Sequence, residues 1–118
     1  MFADPITVTV AGVAKVMGRV STNGTSAVYA TADGIYQLTI SHQRQSNGRI
    51  RTVSRLDFKK IVTNPLDSTN DWDTISHYTV EERPAFGFTS TEIKDNLNGF
   101  TTWLVLTATQ DKLLATES

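Results

Sequence analysis

At 118 residues, 39% apolar and with a formal net charge of −1, the chain has the size and composition of one globular domain close to the modal length. It contains no cysteine, which excludes disulfides and thiolate metal sites. No apolar run approaches the roughly 20 residues that span a bilayer, and the opening MFADPITVTV lacks the basic segment of a secretory signal, so a soluble, non-exported chain without a membrane partner is expected.

In chain order, residues 6–20, ITVTVAGVAKVMGRV, hold two alternating runs broken at Ala11-Gly12, which predicts a first hairpin. STNGTS at 21–26 is a turn signal, AVYATA at 27–32 a short strand, and Asp33-Gly34 its end. Residues 35–62 predict two long strands joined at Asn47-Gly48. Along the second, Arg49, Arg51, Val53, Arg55, Asp57 and Lys59 share one face, and Ile50, Thr52, Ser54, Leu56 and Phe58 the other. The first alternates likewise, with Gln37, Thr39, Ser41 and Gln43 against Tyr36, Leu38 and Ile40. Of the eleven Lys and Arg, six lie between positions 44 and 60, and nine of the twelve acids lie from Asp67 onward. A nearly neutral chain can therefore carry one basic face.

Residues 63–74, TNPLDSTNDWDT, predict a long exposed loop carrying Pro65, Leu66 and Trp72. Alternation returns in ISHYTVEE at 75–82, read as the last strand. From Thr89 the period changes: Thr89 and Glu92 have capping-box spacing, and Ile93, Leu97, Phe100 and Leu104 recur at helical intervals. Gly99 weakens that helix and suggests a close contact or a slight bend. Gln110–Glu117 predicts a short second helix, capped from Thr107 or Thr109 and apolar mainly at Leu113 and Leu114. The fold class is α+β, an antiparallel meander followed by two helices. With Trp103, Val105 and Leu106 around the stripe, the helices are apolar on more sides than one sheet contact can use; the simplest outlet is a partner chain, and burial within a monomer is the alternative.

No catalytic set emerges. His42 and His77 are the two histidines and form no metal-site spacing, no phosphate loop or nucleophile elbow is present, and Glu81 and Glu82 are adjacent on a strand, so they point to opposite faces. No metal or cofactor is implied. Arginines at alternate positions of a sheet face, beside hydroxyls and amides, match phosphates along a single-stranded or hairpin RNA better than a major groove, which normally takes a helix or narrow ribbon. The bland reading of the same residues is a solvated sheet face.

The segments LTISHQRQSNGRIRTVSRLDF and STEIKDNLNGFTTWLVLTATQDKLL, in this order of elements, resemble the coat proteins of small single-stranded RNA bacteriophages over nearly the whole chain. The resemblance implies one coat-protein domain over residues 1–118, with the sheet in 1–86 and a helical dimerisation segment in 87–118. It implies an N-terminal hairpin plus about five strands, and an interlocked homodimer whose continuous ten-stranded sheet faces genomic RNA, including an operator hairpin, inside an icosahedral shell. The RNA-binding positions it implies are Thr39, Ser41, Gln43, Arg51, Arg55, Thr79 and Glu81, with Val53 standing where relatives have a polar contact; the basic face adds Gln37 and Arg49. Tyr78 then has the wrong parity for that face. Ile93, Leu97, Phe100, Trp103, Leu104, Leu113 and Leu114 are the expected dimer interface, and Pro65, Leu66 and Trp72 an inter-dimer loop. The expected location is the virion, assembled in the cytoplasm of a bacterial host. The competing readings are a dimeric cellular RNA-binding regulatory module using the same sheet and, further off, a small enzyme or ligand domain with a pocket lined by His42 or His77.

Overall fold

The computed structural model describes residues 2–118 and contains six antiparallel strands in sequential order followed by two helices. The strands are β1 (Ile6–Val10), β2 (Val13–Asn23), β3 (Ser26–Ala30), β4 (Tyr36–Arg44), β5 (Ile50–Thr63) and β6 (Asn70–Arg83); the helices are α1 (Ser90–Leu104) and α2 (Thr107–Leu114). The chain divides after Ala85 into a sheet unit and a helical unit, Phe86–Ser118.

β2 serves two hairpins. It pairs with β1 from Val13 to Met17 and with β3 from Gly18 onward, and the register slips between Arg19 and Ser21. Such a bulge bends the strand and increases its twist. The bend lets Met17, Ile6 and Val8 pack against Tyr29, Ile40, Ala27, Tyr36 and Leu38. Met17, Tyr29 and Ile40 are the buried apolar side chains among the described residues, and Lys15 Nζ lies 5.1 Å from the Tyr36 ring centre. Arg19 fastens this corner. Its guanidinium donates to the Tyr29 hydroxyl and to the Phe2 carbonyl, while its backbone N–H donates to Asp4 Oδ1.

The β4–β5 connection runs through residues 45–49. Gly48 is at φ +84°, Gln45 N–H donates to Arg49 O at 2.7 Å, and Arg49 N–H donates to Asn47 Oδ1, so the Asn-Gly signal makes the turn expected of it. Arg49 belongs to this turn, one residue before β5.

The expected loop over 63–74 is much shorter. The β5–β6 ladder runs from Ile50↔Arg83 to Thr63↔Asn70, leaving residues 64–69 outside it. The Asn64 and Asp67 side chains accept from the N–H groups of Leu66 and Thr69, and Asn64 N–H donates to Thr69 O, which closes the turn early. Residues 70–74 are exposed on both sides, so no apolar alternation was needed to make them a strand.

In the helical unit, Thr89 Oγ1 accepts from Glu92 N–H at 3.1 Å, and the Glu92 carboxylate takes the threonine hydroxyl at 3.2 Å. α2 begins three residues earlier than the expected Gln110, because Leu106 O already accepts from Gln110 N–H. It closes with Thr116 at φ +59°, Thr116 N–H donating to Leu113 O and Glu117 N–H to Lys112 O. Thr107 and Thr109 are therefore helical residues and not caps.

Candidate nucleic-acid interface and assembly surface

The registers of β4, β5 and β6 place side chains in rows across one sheet face: Gln37–Asp57–Ser76, Thr39–Arg55–Tyr78, Ser41–Val53–Val80 and Gln43–Arg51–Glu82. Lys59 opposite Thr74 and Ile61 opposite Trp72 extend it toward the turn. Of the residues expected on this face, the structure brings together Gln37, Thr39, Ser41, Gln43, Arg51, Val53 and Arg55. Arg49 flanks them in the turn.

Thr79 and Glu81 stand elsewhere. They pair with Ser54 and Thr52 on the opposite face, while Tyr78, Val80 and Glu82 share the face of Arg51 and Arg55. The reason is the turn. A ladder closed at Thr63↔Asn70 pairs every odd residue of β5 with an even residue of β6, so parity inverts across this hairpin. Tyr78, 63% exposed beside Arg55, is the residue that the sequence reading excluded from the face. The Asx pairs at Asn64 and Asp67 were the signal that fixes the turn length and could have found it. Trp72 is likewise a strand residue, 55% exposed, with Lys59 Nζ 5.2 Å from its ring centre.

The cations of the face are not equivalent. Arg55 Nε donates to Asp57 Oδ1 at 2.9 Å and Arg55 Nη2 to Ser76 Oγ at 3.2 Å, while the Ser76 hydroxyl donates in turn to Asp57 Oδ1. Burial disfavours ionisation of Asp57, but the hydrogen bonds from Ser76 and Arg55 and the charge of Arg55 hold its carboxyl below the usual range. Arg51, by contrast, has an Nε shielded from solvent with no hydrogen-bond partner among the described residues.

The opposite face carries a polar row at one end. His42 Nδ1 and Thr52 Oγ1 are 3.0 Å apart, Arg83 Nη1 donates to Thr52 Oγ1 at 3.3 Å, and Arg83 pairs with Glu81 at 3.4 Å. Glu81 is thus an ion-pair partner on this face.

In the helical unit no residue of α1 or α2 is buried. Leu97, Phe100 and Trp103 are 44%, 53% and 50% exposed, Ile93 and Leu104 are half-buried, and Leu113 and Leu114 are exposed. Phe100 and Trp103 lie 6.2 Å apart, a contiguous aromatic pair. Among the described residues β6 has one strand neighbour, so its outer edge of 14 residues is open.

A family model described as the coat protein of phage phiCb5 matches residues 3–61, half of the chain. The chain belongs to this coat protein family. Its fold is similar to that of a virus-like particle of bacteriophage AVE019, at a TM-score of 0.83 and 11% identity over 96% of this chain and 94% of that one. A virus-like particle of Beihai levi-like virus 21 gives 0.78 and 10% identity over 100% and 98%. An unassembled virus coat protein dimer, described as a bacteriophage RNA-binding dimer, gives 0.61 and 16% over 98% and 95%. No curated protein matches.

As a phage coat protein the chain is a structural component of a virion capsid and not an enzyme. The depression of about 310 Å³ bordered by Arg19, Tyr29, Ile40 and His42 accordingly has no catalytic claim on it. Pro65 and Leu66 lie in the turn between β5 and β6, and Leu66 is 94% exposed.

Proposed function

We propose that this coat protein dimerises through the open edge of β6 and the apolar stripe of its helical segment, residues 87–118, assembles into an icosahedral shell, and holds single-stranded RNA on the Arg51–Arg55 face. The observation that carries the RNA half is that face itself. Cations at alternate positions of β5, flanked by Thr39, Ser41, Gln37 and Gln43 and by exposed Tyr78, offer a polyanion phosphate contacts, hydroxyl and amide partners and one stacking surface. The dimer half is supported by Leu97, Phe100 and Trp103, which are too exposed to stabilise one chain, and by an edge strand that ordinarily has to be covered. A structural neighbour known as an RNA-binding dimer points the same way. In the dimer the β2–β6 strands of the two chains run on as one ten-stranded sheet, and Pro65 and Leu66 meet other dimers at the hairpin tips. Assembly takes place in the cytoplasm of the bacterial host.

The test is expression of the chain followed by electron microscopy of particles and measurement of their RNA content. Arg51→Ala and Arg55→Ala particles are expected to hold less RNA, and the salt slope of RNA binding by the dimers should fall by about one per lost phosphate contact. Particles with unchanged RNA and unchanged slope would mean that the arginines are only solvated.

A further inference from the structure

The basic face carries two carboxylates where an RNA surface would be expected to have none, the exposed Glu82 opposite Arg51 and the more buried Asp57. Asp57 lies in the middle of it, between Gln37 and Ser76, with its side chain only 16% exposed. Simple electrostatics makes it a defect: a negative charge among phosphate contacts weakens binding of a polyanion.

The hydrogen-bond geometry argues otherwise. Asp57, Ser76 and Arg55 form a closed ring in which each group touches the other two. The ring occupies Nε of Arg55 and one hydrogen of Nη2, which is the side-on edge of the guanidinium. Nη1 and the other Nη2 hydrogen remain, and these are the donors that can grip a phosphate from the end. An unrestrained arginine loses rotamer freedom when it binds, and that loss is largely absent for one already held. Arg51 lacks such a holder, since its Nε has no partner.

We infer that Asp57 and Ser76 are positioning residues that hold Arg55 end-on for an RNA phosphate beside Tyr78, so that the acid strengthens RNA binding. The inference rests on the reading of this face as the RNA surface. It separates two kinds of cation, a pre-oriented Arg55 that fixes register and an Arg51 without a holding partner that contributes charge.

Binding of the purified dimer to a short single-stranded RNA, followed by fluorescence anisotropy at low and high salt, decides the matter because the two accounts predict opposite signs. Asp57→Asn removes a negative charge from the face, so a purely electrostatic role predicts tighter binding, most of all at low salt where screening is weak. The positioning role predicts weaker binding, by about two- to tenfold, corresponding to about 0.5–1.5 kcal/mol for one immobilised side chain. The weakening should persist at high salt. In an Arg55→Ala background Asp57→Asn should no longer weaken binding, because the residue it positions is gone. Ser76→Ala changes no charge and should also weaken binding, which keeps the test valid if Asp57→Asn fails to fold. Tighter binding by Asp57→Asn in both backgrounds, together with normal binding by Ser76→Ala, would overturn the inference while leaving the RNA face standing. If Arg51→Ala and Arg55→Ala leave affinity untouched, the RNA face falls, and the positioning role with it.

Discussion

Asp57 also makes the sheet sensitive to acid. Its carboxyl is held below the usual range in the folded chain, so the folded state favours the ionised form more than the unfolded state does. The stability this contributes is complete above the unfolded carboxylate value, near 3.9, and is lost as the pH falls through the lower folded value. The wild-type protein should therefore show a urea midpoint that drops between pH 5 and pH 3 by more than that of Asp57→Asn. Equal slopes would show that the ring contributes nothing to the fold. Tyr78 offers a second reading at this scale. Tyr78→Ala removes the exposed aromatic beside Arg55 and should cost about 1–3 kcal/mol of RNA affinity if a base stacks there, whereas Tyr78→Phe should retain it. Titration of both variants with the same short RNA distinguishes stacking from a hydroxyl contact.

Elements were legible in the sequence where one local rule governed them. The Asn47-Gly48 turn, the alternation from Ile35 to Val62 and the Thr89 cap each depend on a few neighbouring residues, and each lies where those residues put it. What failed depended on distance along the chain. The faces of β6 follow from the length of the 64–69 turn, and a turn placed over 63–74 puts Thr79 and Glu81 on the Arg51–Arg55 face and Tyr78 off it. The polar run at 70–74 has the composition of a loop because strand pairing with β5 leaves no trace in composition. The Thr89 cap makes a direct test of the helical element. Thr89→Ala should destabilise α1 by about 1 kcal/mol and Thr89→Ser should not, measured by thermal melts at 222 nm.

At the scale of the molecule, the distribution of apolar surface is the strongest argument for a second copy. Buried apolar residues are confined to Met17, Tyr29 and Ile40, all in the sheet unit, while α1 carries Leu97, Phe100 and Trp103 at about half exposure. Burying one such side chain fully is worth about 1.5–3 kcal/mol, so covering the exposed halves of these three supplies about 2–4 kcal/mol per chain, a sizeable fraction of a domain's stability. A charge on this stripe should therefore act on assembly and not on the fold of the single chain. Phe100 is 53% exposed in one chain, so Phe100→Asp puts a carboxylate where the single chain tolerates it, but deep in an apolar contact once a partner covers it. The variant is expected to retain strand signal by circular dichroism, to elute as monomer at micromolar concentration and to yield no particles by microscopy. Normal particles from Phe100→Asp would place the dimer contact away from the helices and leave the β6 edge to carry it alone.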